Sequence, residues 1–136
     1  MKSKRIILDT NLWISFLITQ DFDFLDNLIV SGKIKLIFSK ELIEEFISVA
    51  SRPKFKKYFS LNEIEEILAL FDSYGEIVEV WTNINLCRDP KDNFLLNLAI
   101  DSKAPYLITG DSDLLEIKEI EGTKIITYNE LIKILT

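Results

Sequence analysis

Apolar residues along this chain come in two rhythms. Short, mostly apolar runs at 6–8, 34–38, 77–80, 106–108 and 125–127 are bounded by polar or turn residues and read as buried strands. Between them apolar residues recur every three or four positions, the helical period. Phe24, Leu25, Leu28 and Ile29 form one such stripe, ending at Gly32. Leu42, Ile43, Phe46, Ile47 and Ala50 form a second, with Ser39 as N-cap and Pro53 as stop. Ile64, Ile67, Leu68 and Phe71 predict a helix over 61–74 with Gly75 as its C-cap. Phe94, Leu95, Leu98 and Ala99 follow Asp89-Pro90, a cap and first turn, and a closing helix spans 130–135. Strands separated by helices predict right-handed crossovers and a parallel sheet covered on both faces. The expected fold is therefore α/β, a three-layer α/β/α arrangement with a central parallel sheet of about five strands. With no repeat or low-complexity segment, residues 1–136 are expected to form a single domain.

The polar residues that interrupt this pattern carry the chemistry. A buried strand has no use for a carboxylate at its end, yet Asp9 follows Ile6-Ile7-Leu8 directly. Asp111 follows the fourth strand, with Asp113 two residues on; Glu44 and Glu45 lie one to two turns into the helix after the second strand; Asp92 sits in the first turn of the helix leading to the fourth. In open parallel sheets, sites form outside the carboxyl ends of the strands, so Asp9 is positioned as one ligand of an oxygen-lined metal site. Each acid also has a plainer use. Asp89 is an ideal N-cap, and Asp92 at the third helical position serves equally as cap or ligand. Asp111 or Asp113 can cap a short helix at Leu114-Leu115. Asp9 is harder to explain away, because Thr10 or Asn11 could cap the next helix without it. Glu44 and Glu45 each fit a solvated face; Glu45 lies slightly nearer the apolar side.

Composition narrows the options. The chain has no histidine, which excludes a Ser-His-Asp triad, a histidine base and a histidine-bound zinc. Its single cysteine, Cys87, has no histidine to activate it and reads as a small apolar residue. Any catalysis must use carboxylates, lysines, hydroxyls or a metal held by oxygen, which suits magnesium or manganese. Close carboxylates repel by roughly 4 kcal/mol per pair at an effective dielectric near 20; divalent cations remove that cost, and two can clamp both oxygens of a phosphodiester displacement. The net charge of −6 is uneven, +3 over residues 1–60 and −9 over 61–136, so a nucleic-acid partner is not announced by charge. Lys2, Lys4 and Arg5 precede only a short apolar run, and no stretch approaches a membrane span, so the expectation is a soluble cytoplasmic protein with no membrane partner.

Four stretches in order, "IILDTNLWIS", "SKELIEEF", "RDPKDNFLLNLAI" and "YLITGDSDLL", with "RPKF" after the second, resemble the PIN-domain family of metal-dependent ribonucleases. The branch they resemble is that of the toxin components of prokaryotic toxin–antitoxin pairs. The resemblance covers nearly the whole chain. It implies that Asp9, Glu45, Asp92 and Asp111 surround Mg²⁺ or Mn²⁺, one ion or two, and are catalytic. It implies Asp113 as a further acid acting through water, and Asn11 and Thr109 as supporting polar positions. Because the family's glutamate precedes a bulky apolar residue, Glu45 before Phe46 is favoured over Glu44. An RNA substrate, a homodimer and inhibition by a small antitoxin are implied as well.

RNA would also need a surface to lie on. The candidate is "SRPKFKKYF", where Arg52, Lys54, Lys56 and Lys57 interleave with Phe55, Tyr58 and Phe59. The plainer reading, a loop with a solvated basic face and its aromatics turned into the core, is favoured. Trp13 and Trp81 read as core or interface residues, and Trp13 could instead face a partner protein. A phosphotransfer protein of the HAD or response-regulator type fits poorly: Asn11 stands where the first wants an Asp, and acids stand where both want a Lys. The alternatives are a catalytically silent partner- or RNA-binding module of the same fold, and an RNA-processing or DNA nuclease outside toxin–antitoxin systems.

Overall fold

The protein is described by a computed structural model over residues 4–19, 27, 31–84 and 92–135. Strand β1 (Lys4–Leu8) leads into helix α1 (Thr10–Thr19), then β2 (Ile34–Phe38), α2 (Lys40–Ala50), a 3₁₀ turn (Pro53–Phe55), α3 (Leu61–Tyr74) and β3 (Gly75–Ile77). Helix α4 (Asn93–Ser102) and β4 (Tyr106–Ile108) follow, then a one-turn helix α5 (Ser112–Leu115), β5 (Glu119–Ile120), β6 (Thr123–Ile126) and α6 (Tyr128–Leu135). The sheet order is β3-β2-β1-β4-β6-β5, parallel throughout except for the β5–β6 edge pair. The three-layer α/β/α fold is the one predicted, with five parallel strands and a short antiparallel sixth.

Helices end where local chemistry ends them. The Ser39 side chain accepts the Leu42 amide, capping α2. Ser60 with Glu63, and Thr127 with Glu130, form reciprocal capping boxes for α3 and α6. The second of these starts α6 at Tyr128, two residues before the predicted start. The third strand lies at Gly75–Ile77 rather than 77–80, because Gly75 pairs with Leu36 and enters the sheet directly instead of capping α3. The last long strand begins at Thr123, not residue 125, and is preceded by the unpredicted β5. Left-handed Glu121 and Gly122 turn the chain between the two. Of the predicted helix at 24–29 only Asn27 is described, and it is helical; Cys87 and the Asp89-Pro90 helix start lie outside the described residues.

Ile6, Ile7 and Leu8 of β1, Leu95, Leu96, Leu98 and Ala99 of α4, and Leu107 and Ile108 of β4 are all fully buried. Trp13 belongs to this core, its ring 6.4 Å from that of Phe38. Trp81 does not; it is 80% exposed. Among the described residues no helix is long and apolar enough to cross a membrane.

Topology decides where a site can form. From β1 the chain builds outward through β2 to β3, then crosses to the other side of β1 for β4 and β6. The order therefore reverses between β1 and β4, and in such sheets the crevice opens at the carboxyl ends of those two strands.

Candidate active site

Asp9 stands at that crevice. Its amide continues the sheet by donating to the Ile108 carbonyl at 3.0 Å, and its own carbonyl accepts the Leu12 and Trp13 amides that open α1. Asp9 itself therefore occupies the cap position that sequence reasoning offered to Thr10 or Asn11. Asp9 is buried, 6% exposed. Thr109 Oγ1 donates to Oδ2 at 2.8 Å, and the Asn11 amide donates to Oδ1 at 3.3 Å. Burial, the largest influence, pushes the Asp9 pKa up; the bonds from Thr109 and Asn11 pull it down, and the charges of Asp111 and Glu45 push it up further. Two carboxylates from distant stretches are thus close enough to be felt at Asp9.

Thr109 joins the two strand ends. Fully buried after β4, its Oγ1 accepts the Asp111 amide at 3.0 Å, which leaves its proton for Asp9. Asp111 Oδ1 in turn accepts the Asp113 amide at 2.9 Å and caps α5, the plainer role predicted for it. That bond engages Oδ1. Asp92 holds the N-cap position of α4, but its side chain makes no capping hydrogen bond there.

A cleft of about 200 Å³ opens between these elements, lined by Asp9, Asn11, Glu45, Asp92 and Asp111 together with Thr10, Val49, Arg52 and Phe94. The four acids singled out from the sequence therefore share one cavity, arriving from β1, α2, the start of α4 and the end of β4. Glu45 is half-buried on its wall; Glu44 is exposed, 4.0 Å from Lys40. Asp113 is half-buried but does not line the cleft. The basic segment is split. Arg52 lines the cleft, whereas Lys54 and Lys57 lie 5.0 Å over the Phe55 and Tyr58 rings and Lys56 is exposed. Phe59 is buried, as the plainer reading had it, and Tyr58 is not.

Sequence reasoning missed Thr10, Val49 and Phe94. Val49 follows Glu45 at i+4, a spacing that puts both on one face of α2, whereas Arg52 lies beyond the helix end at Ala50. Thr10 carried no local signal. It is 3% exposed, and its Oγ1 has no hydrogen-bond partner.

The donors fit a hard divalent cation: all are oxygen, and a buried, unpartnered hydroxyl lies beside them. Among the described residues no three acidic side chains close on one point as in a finished metal cage. A cation such as Mg²⁺, which retains several waters, needs only one or two carboxylates directly.

Comparison with known proteins places the chain in a family and agrees with the fold. A family model described as PIN domain matches residues 5–113. An uncharacterized protein of Methanocaldococcus jannaschii, MJ1680, is 38% identical over 119 residues, covering 85% of this chain and 76% of that one. The structure of VapBC2 from Rickettsia felis bound to a DNA fragment from their promoter matches with a TM-score of 0.56 at 16% identity, over 89% of this chain and 96% of that one. The PIN domain endonuclease Utp24 matches with a TM-score of 0.56 at 19% identity, over 89% and 82%.

Proposed function

We propose that this chain, which belongs to the PIN-domain family, is a Mg²⁺- or Mn²⁺-dependent endoribonuclease acting as the toxin of a toxin–antitoxin pair. The observation that carries the reading is the meeting of Asp9, Glu45, Asp92 and Asp111 on one cleft at the strand-order reversal. Those four residues would hold the cation, with Asp113 behind Asp111 as a residue acting through water. When bound, the cation supplies positive charge for the phosphodiester and lowers the pKa of water. The chain's own groups set the geometry. Thr109 and the Asn11 amide hold the two oxygens of Asp9 in one orientation, and the Asp113 amide does the same for Asp111 Oδ1. With no histidine in the chain, proton transfer falls to carboxylates.

The toxin assignment rests on the sequence resemblance and on the likeness to VapBC2. It brings with it a small antitoxin as partner, a homodimer and a cytoplasmic setting. The equal likeness to the PIN domain endonuclease Utp24 supports a second reading, a nuclease outside toxin–antitoxin systems.

The test is cleavage of mixed-sequence single-stranded RNA with Mn²⁺, Mg²⁺ or EDTA, with wild type and Asp9→Asn side by side. Cutting that needs metal and falls about a hundredfold or more in the variant is the expected result. Glu45→Gln should follow Asp9→Asn, whereas Glu44→Gln should keep its metal-dependent cutting. A folded wild type that neither cuts RNA nor gains melting temperature with millimolar Mn²⁺ would leave a silent binding module.

A further inference from the structure

Helix α2 presents a second line of residues beside the acidic cleft. A groove of about 610 Å³ runs along it, lined by Glu41, Glu44, Glu45, Ser48, Arg52 and Phe94. Its volume falls within the ~300–1,000 Å³ of ligand sites and admits one nucleotide. Glu45, Arg52 and Phe94 line both cavities, so the groove opens directly off the cleft.

Two of these shared residues are unlike their surroundings. Among the described residues, Arg52 is the one basic residue lining either cavity and its guanidinium makes no ion pair with a carboxylate; it is exposed. A planar fork of donors beside four acids, paired with none, remains available to a phosphate. Phe94 is half-buried: it packs on the core, yet it still faces both cavities. Glu41 and Glu44 on the outer wall repel phosphate, which confines a nucleic-acid backbone to the Arg52 end.

Resting on the nuclease reading above, we infer that Arg52 and Phe94 form a nucleotide subsite next to the carboxylates. Arg52 holds the phosphate adjacent to the scissile one, and Phe94 stacks the base between them. A base can lie on Phe94 only if it has left its neighbours, so the subsite takes an unpaired nucleotide in preference to a duplex. Lys54, Lys56 and Lys57, outside both cavities, belong to no part of this subsite.

The experiment is fluorescence anisotropy of a labelled mixed-sequence RNA strand on cleavage-silent Asp9→Asn protein, alone and combined with Arg52→Ala, Arg52→Lys, Phe94→Leu or Lys124→Ala. Lys124 is an exposed residue of β6 outside both cavities and controls for net charge. Arg52→Ala should weaken binding about tenfold and reduce the salt slope by about one phosphate, with Arg52→Lys intermediate. Phe94→Leu should weaken it about tenfold with the slope unchanged. Lys124→Ala should bind as the parent does, and the annealed duplex at least tenfold more weakly. In cleavage by Mn²⁺-loaded protein, Arg52→Ala should raise KM more than it lowers kcat. If Arg52→Ala and Lys124→Ala weaken binding equally, if duplex binds as well as single strand, or if the parent does not bind RNA, the subsite is wrong. A wild type that still cuts RNA in that event leaves the nuclease reading standing; one that does not cut removes both.

Discussion

Two aspartates of this protein are tuned in opposite directions. Asp9, in the crevice between β1 and β4, is buried, receives one hydroxyl and one amide, and shares its surroundings with Asp111 and Glu45. Asp101, in the last turn of α4, accepts the Trp81 and Thr82 amides on Oδ2 and the Thr82 hydroxyl on Oδ1. Burial raises the first pKa. The Thr82 hydroxyl, ahead of the two amides, lowers the second. Asp101 has donors enough and little burial, so its charge is a staple holding the 78–84 segment to α4. Asp9 is buried beyond what its donors repay, and its charge is a liability to the fold. An opposite arrangement appears on the same sheet at Arg5, whose guanidinium reaches both oxygens of Glu76, at 3.2 and 2.7 Å, and donates to the Ser102 carbonyl. Acids that serve the architecture are matched by donors or cations at little burial; at Asp9 burial outweighs the two donors, and the charges of Asp111 and Glu45 add to its effect.

The largest effect should come from removing the one hydroxyl that links the strand ends. Thr109→Val keeps the shape but strips Asp9 of its strongest bond and leaves the Asp111 amide unpartnered. A loss of about 2–3 kcal/mol is expected in urea unfolding with an unchanged m-value. A loss below about 0.5 kcal/mol would mean that the crevice is wetter than its burial implies.

Asp101→Asn should cost less, about 1–2 kcal/mol at neutral pH. Its folded pKa lies below the unfolded value of about 3.9, so its stabilisation is present above that value and lost as pH falls through the folded one. Urea midpoints of wild type and variant should therefore differ at pH 7 and converge near pH 2. A gap that persists in acid would assign the effect to packing.

Asp9→Asn should have the smallest effect on stability, with the opposite sign. Its folded pKa lies above the unfolded value, so the fold loses stability as pH rises from about 3.9 through the raised value. In EDTA at pH 7 the variant should melt about 2–4 °C higher than wild type, and at pH 3 the two should coincide. A lower melting temperature at pH 7 would mean that Thr109 and Asn11 outweigh burial, and the contrast between the two aspartates would collapse.

Much of the framework was legible because it is written locally. Ser39, the four-residue spacing of Leu42, Phe46 and Ala50, and Pro53 bound α2 without help from elsewhere. Strand β3 was misread because "IVEV" at 77–80 has the right composition, while pairing of Gly75 with Leu36 chooses a different stretch. Edge strand β5 is two residues long and had no pattern to offer. Around the crevice, the acids stood out as misplaced polar residues, but their companions did not. Thr10 and Phe94 look ordinary in sequence; only the folded cleft puts them beside Asp9.

By itself, the sequence determined the alternation of strands and helices, the capped helix ends, and a chemistry confined to oxygen by the lack of histidine. All of these follow from neighbours a few residues apart or from composition. Only the tertiary structure decided the strand order that reverses at β1, the bond between residues 9 and 109, and the direction of the Asp9 pKa. Those depend on pairing across a hundred residues and on the exclusion of water by distant segments, and no local pattern encodes either.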